Sequence, residues 1–205
     1  MVIKSRIFEY CSSLLSISLS ENIRKIGDFA FHLCKELKEI KLPQGLDDIG
    51  MGAFNDCPSL ISINIPSGIS TINDETFAYD KSLTEVILPD SLRAILHGAF
   101  YGCESLMTIS LPSKITVLGN YSFAHCSSLS EIVIPDCVTE IGISSFEGCT
   151  SLKTVIIPNS VIILGKKAFY NCKALSEIEL PNHLGKQAAT AFNCTRVKIR
   201  MPSSW

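Results

Sequence analysis

Phenylalanine recurs along this chain with a fixed period. Nine of the ten phenylalanines, Phe8, Phe31, Phe54, Phe77, Phe100, Phe123, Phe146, Phe169 and Phe192, follow one another at intervals of 23 residues. Other residue types keep step. Cys11, Cys34, Cys57, Cys103, Cys126, Cys149 and Cys172 each lie three positions after a ring, and Leu14, Leu37, Leu60, Leu83, Leu106, Leu129, Leu152 and Leu175 lie six after. Proline holds one register from Pro43 to Pro181, and small residues such as Ala30, Ala53, Ser122 and Ala168 precede the rings. A short unit of this kind cannot bury its own apolar stripe. Copies must stack so that each covers the next, which makes a repeat solenoid the fold class.

Each part of the unit has a physical reading. In Leu60-Ile61-Ser62-Ile63-Asn64-Ile65 the isoleucines Ile63 and Ile65 alternate with polar residues, the pattern of a half-buried strand. Pro66 ends that strand because it has no N–H to give a further ladder bond. Turn-forming residues follow, then an apolar pair such as Ile69 and Ile72, then a glycine (Gly27, Gly50, Gly119, Gly142, Gly165) suited to a bend. The Ala-Phe-x-x-Cys segment is expected to make one helical turn back to the start. The expected architecture is a β-rich solenoid of about nine coils forming one domain over residues 1–205, with a partial first coil at 1–7 and a shortened last coil at 192–205. Strands pairing in parallel at roughly 4.8 Å give a rod roughly 40 Å long.

The strings SLISINIPSGISTI, SLSEIVIPDCVTEIGISSFEGC and SLKTVIIPNSVIILGKKAFYNC resemble the BspA-like, or Treponema pallidum-type, leucine-rich repeats. The resemblance runs through essentially the whole chain. It implies a right-handed solenoid with a parallel sheet along its inner, concave face. It also implies roles in adhesion or protein binding at the surface of bacteria and protists, or in secreted form, and it brings no catalytic motif.

Charge and composition exclude several classes. Lys and Arg number 18 against 20 Asp and Glu, so no basic excess points to nucleic acid. No run approaches the roughly 18 apolar residues of a membrane span, and the opening Met1-Val2-Ile3-Lys4-Ser5-Arg6 lacks the apolar stretch of a secretory signal. Read as it stands, the chain is cytoplasmic; the family resemblance points instead to the cell surface or secretion.

No chemistry-bearing constellation emerges, so the expectation is a protein with no enzymatic activity, no cofactor and no metal site. The cysteines of the periodic register read as buried, small hydrophobes. Cys137, in the turn after Pro135, reads as the one exposed, reactive thiol. His32, His97, His125 and His183 occupy four registers and form no column. Gly50-Met51-Gly52 lacks the strand–loop–helix context of a phosphate loop. Asp80 stands where the register places cysteine, and a buried carboxylate costs several kcal/mol, so its loop is expected to bulge and carry it into water.

Function is therefore sought on the outward strand positions. Glu39, Glu85, Glu131 and Glu177 share a register and alternate with Ser16, Ser62, Thr108 and Thr154. Skipping a coil keeps like charges about 10 Å apart. Two positions on, Ile87, Val133 and Ile156 are β-branched residues with no core to face. The candidate partner-binding set is Glu85, Ile87, Glu131, Val133, Ile156 and Glu177, an apolar patch in an acidic frame. Two roles fit it: a scaffold for a protein or glycoprotein partner, or a cell-surface or secreted adhesin or antigen, or a fragment of a longer one. Ile3 aligns with Ile26 and Ile49, so the first coil is expected to need covering by a partner, a second copy or further repeats. At the other end, Arg196, Lys198 and Arg200 alternating with Val197, Ile199 and Met201 read as a last, charged-edge strand.

Overall fold

The computed structural model describes residues 1–192 and 197–200. The coils lay down two rows of short strands. The first row runs Ser16–Ile17, Glu39–Ile40, Ser62–Asn64, Glu85–Ile87, Thr154–Ile156, Glu177–Glu179 and Lys198–Arg200. The second runs Val2–Ile3, Lys25–Ile26, Asp48–Ile49, Thr71–Ile72, Ala94–Ile95, Val117–Leu118, Glu140–Ile141 and Ile163–Leu164. Every pairing is parallel, and it joins equivalent residues of successive coils, as in Ile63 with Val86 and Ile26 with Ile49. The repeat solenoid expected from the 23-residue period is therefore present.

Three details differ from the sequence reading. The inner sheet is not continuous: the first row divides into two strand pairs and one three-stranded sheet, with a single bridge from Glu131 to Thr154. Segments of two or three residues, held between a leucine corner and a proline, leave few ladder bonds per coil. The segment read as an apolar pair and a bend is the second strand row, which forms a three-stranded and a five-stranded sheet. Its glycines serve close approach: a Cβ on Gly165 would lie 2.3 Å from the Gly142 carbonyl carbon.

The third difference is the turn around each phenylalanine, which is not helical. Arg6, Phe8 and Tyr10 donate their N–H groups across to the carbonyls of Asp28, Ala30 and His32 at 3.0, 2.9 and 2.9 Å. The N–H groups between them close local turns, Glu9 onto Arg6 and Cys11 onto Phe8. The alternation is achieved with left-handed residues such as Arg6 (φ 60°) and Tyr10 (φ 63°). Each costs about 1–2 kcal/mol outside glycine, and the coil-to-coil bonds offset that strain.

Inside the rod the rings form one column. Adjacent phenylalanines from Phe8 to Phe192 lie 5.1–5.6 Å apart with planes within 12° of parallel, the offset stack that aromatic quadrupoles favour. Beside them, Cys34, Cys57, Cys103, Cys126, Cys149 and Cys172 are buried. They do more than fill space. Each S–H donates to the carbonyl of a phenylalanine 26 residues earlier, at 3.1–3.2 Å. Burial pushes the Cys34 thiol up to about 11. Cys137 is exposed as expected, but so is Cys11, which belongs to the first coil described. Leu14, Ile17 and Leu19 of that coil are likewise only half-buried, whereas Leu37, Ile40 and Leu42 above them are buried. At the other end, Lys198–Arg200 pairs with Glu177–Glu179, and a short helix, Gly185–Ala191, replaces a second-row strand. Arg196 and Met201 of the expected last strand, and Cys194, lie outside the described residues.

The expectation for Asp80 is overturned. No bulge forms, and Asp80 is wholly buried. The flanking Tyr79 N–H is tied to the Tyr101 carbonyl at 2.6 Å, so the backbone cannot leave the stack. The carboxyl occupies the place of a thiol. Its Oδ1 accepts the Cys57 N–H at 2.8 Å, and its Oδ2 is buried without a partner. Desolvation raises its pKa well above the ordinary carboxylate range, with the Asp56 charge adding to it and the Cys57 N–H opposing. Burial thus favours the neutral acid over the carboxylate at the place where the column elsewhere has a thiol.

Two outcomes follow from this core. Below the unfolded carboxyl value of about 3.9, both states carry the Asp80 proton. As pH rises past it the unfolded chain loses the proton and the native chain keeps it, so stability falls until the native carboxyl ionises. Asp80→Cys should therefore raise unfolding free energy at pH 7 by about 1–3 kcal/mol, with the gap shrinking toward pH 4 in urea titrations. Equal stability at pH 7, or a gap that grows on acidification, would contradict the assignment. Thiol labelling of the native protein, read by peptide mass spectrometry, should modify Cys11 and Cys137 rapidly and the six column thiols only on unfolding; rapid native labelling of Cys103 or Cys126 would show that the column is open.

Candidate functional site

The first-row strands carry the candidate site, because alternation sends every second residue out of the core. In Glu85–Ile87 and Thr154–Ile156 the central Val86 and Val155 are buried and both neighbours are exposed. Val133 is 81% exposed, Ile156 68% and Ile87 51%, high values for β-branched aliphatics. Their neighbours in the same register are polar: Asn64, Ser110 and Glu179. Val133 and Ile156 lie on adjacent coils and form a contiguous apolar pair. Ile87 is set apart from Val133 by the coil of Ser110, a separation of about 10 Å.

The acidic frame is arranged as the register implies. Ser62 lies opposite Glu85, Thr154 opposite Glu177, and the Glu131 bridge is to Thr154. Each carboxylate thus has a hydroxyl-bearing residue beside it rather than another carboxylate, which avoids cross-strand repulsion. Glu85 and Glu131 are exposed, whereas Glu177 is half-buried and forms an ion pair with Arg200 across the last pairing. Glu177 is therefore the least available of the three to an external cation.

A shallow groove of about 490 Å³ runs beside this region, lined by Thr108, Ser110, Leu111, Glu131, Val133 and Pro135 among others. A second, of about 500 Å³, lies over the first coils and is lined by Ser16, Ser18, Glu21, Glu39, Lys41 and Asn64 among others. Leu15, Ile61 and Met107, one position after the corner leucine, are 56%, 51% and 56% exposed and widen the apolar surface. Sequence reasoning passed over them, although the signal was present: the same register holds Lys38, Thr84, Ser130 and Lys153 in other coils. Among the described residues, no group of three or more His, Cys, Asp or Glu side chains is placed to hold a metal ion. None of the described helices is long and apolar enough to cross a membrane.

Six copies of the BspA type leucine rich repeat region match the chain, over residues 1–130 and 116–204. The chain belongs to this family. No curated protein matches it. Solved structures agree with the assignment. The Treponema pallidum leucine-rich repeat protein is 28% identical with a TM-score of 0.62, over 95% of this chain and 78% of that one. A leucine-rich cell surface protein of Faecalibacterium prausnitzii is 25% identical with a TM-score of 0.59, over 98% of this chain and 77% of that one. The pneumococcal vaccine antigen PcpA shares the fold, with a TM-score of 0.65 at 16% identity over 97% of this chain and 59% of that one. The BspA-type chain is thus a leucine-rich repeat scaffold that resembles bacterial cell-surface proteins.

Proposed function

We propose that this leucine-rich repeat chain is a non-catalytic interaction scaffold that engages a protein or glycoprotein through its first-row sheet face. The observation that carries the reading is the exposure of Val133 and Ile156, adjacent on successive coils and bordered by Glu131. An apolar centre with a polar rim is the anatomy of a macromolecular contact. The strands hold these side chains in place before binding, so little ordering entropy opposes association. The acidic frame suits a partner that brings basic groups around an apolar centre.

The likeness to the Faecalibacterium prausnitzii cell surface protein favours the variant of this reading in which the face works as an adhesin or antigen outside the cell. The first coil offers a separate contact. Met1, Val2 and Ile7 are 75%, 60% and 54% exposed and Phe8 is only half-buried, so a second copy, a partner or further repeats would gain apolar burial there.

The test of the sheet-face reading is the double variant Ile87→Asp with Val133→Asp. Both positions point outward, so the melting temperature should stay within about 5 °C of the parent. Partner capture from surface extracts, quantified by mass spectrometry, should be lost. Capture that survives the double change would move the binding surface to another side of the coil.

A further inference from the structure

We propose that the turn side of the coils of Phe77, Phe100 and Phe123 holds a second site, a cup that takes a compact organic ammonium group. It lies on a different side of the coil from the sheet face and is independent of the function proposed for that face.

The cup originates at one position in the repeat. Two residues before each ring stand Arg6, Phe29, Gly52, Glu75, Gly98, Tyr121, Ser144 and Lys167, all left-handed with φ between 53° and 60°. Six of these eight carry side chains, so the backbone here does not require glycine. Gly52 is explained by packing, since a Cβ there would lie 2.3 Å from the Phe29 ring. Gly98 has no such reason: its Cβ would meet nothing nearer than Glu75 Cγ at 3.4 Å and Tyr101 Cβ at 3.8 Å. The omitted side chain leaves a cavity of about 330 Å³ lined by Glu75, Tyr79, His97, Gly98, Tyr101 and Tyr121. That lies at the lower end of the roughly 300–1,000 Å³ range of ligand pockets.

The lining selects a chemical class. Tyr79 and Tyr101 meet with centroids 5.1 Å apart and planes 63° apart, and His97 and Tyr121 at 5.6 Å and 66°. Crossed rings make walls rather than the single flat floor on which a sugar ring stacks. The cup offers aromatic π surface, phenol oxygens and one carboxylate, which together attract a cation. Among the described residues no Lys or Arg lines it. Lys81, on the neighbouring groove, is held by Glu104 at 3.0 Å. Glu75 is bonded through Oε2 to the Asn55 amide at 3.3 Å, so it is positioned, yet it carries no ion pair among the described residues. A neutral polyol could hydrogen-bond to the phenols, His97 and Glu75, but only a cation also gains from the carboxylate charge and the ring faces, and a methylated ammonium needs no hydrogen bond.

Tetramethylammonium chloride, titrated against the whole chain at constant ionic strength and followed by the ring resonances of the tyrosines and His97, tests the site. Saturable shifts confined to these rings are expected, with tert-butanol, a neutral molecule of similar shape, giving none. Glu75→Gln should weaken binding about fivefold or more, and Gly98→Tyr, which places the Tyr121 side chain type into the cup, should abolish it. Glu75 is only half-buried and Glu75→Gln keeps its size, so the variant should fold and the test does not depend on Gly98→Tyr. A peptide bearing one trimethylated lysine, run alongside, separates the sources: binding about tenfold tighter than the free ion assigns a protein tail, and equal or weaker binding assigns a free cation. No saturable shift, equal binding of tert-butanol, unchanged affinity in Glu75→Gln, or saturation by maltose instead would each overturn the proposal.

Discussion

The structure depends on one constraint, the parallel backbone bonding of each coil to the next at a fixed offset. Strand rows join equivalent residues 23 apart, as Val117 joins Glu140 and Thr71 joins Ala94, except in the shortened last coil, where Glu177 joins Lys198. On the turn side the same stacking recurs through N–H groups such as Phe54 to the Thr76 carbonyl. An insertion of one residue in any coil would put several ladders out of register together. Every core feature then follows from this translation: ring over ring, thiol toward carbonyl, glycine against glycine. The leverage of each is local, because a coil contacts only its neighbours.

That constraint separates two kinds of position. Residues facing the core are repeated because each must fit the copy above and below. Residues facing out are relieved of that demand, and the departures from polarity at Val133, Ile156, Ile61 and Met107 are therefore informative. Asp80 shows what happens when an inward position departs instead. The stack does not yield; the side chain does, by giving up its charge and borrowing the Cys57 N–H.

Much of this was legible from the residues. The period specified the solenoid, the ring column, the buried thiols and the exposure of Cys137. The outward placement of Glu85, Ile87, Glu131, Val133 and Ile156 came from simple alternation. The second strand row was missed because Ile69 and Ile72 are three apart, a spacing that does not alternate. Most left-handed residues in the turn are not glycines, so composition gave little sign of them. Asp80 was misread by weighing local solvation without the neighbouring bonds that clamp its backbone. Cys11 was misread by applying the core register to the first coil, where that position is exposed. The aromatic cup draws Glu75, Tyr79, His97 and Tyr101 from four registers, and only the folded turn brings them together.

The central claim is that the fixed 23-residue offset, rather than any particular coil, specifies the fold. It is tested most directly by denaturant unfolding, followed by circular dichroism, of a chain lacking residues 123–145, a deletion of 23 residues that sets Phe146 directly above Phe100. The account predicts a shorter solenoid with an unchanged spectrum per residue and a cooperative transition. A companion chain lacking residues 123–144, one residue fewer, should lose that transition. Equal folding of the two chains, or collapse of the in-register deletion, would contradict it.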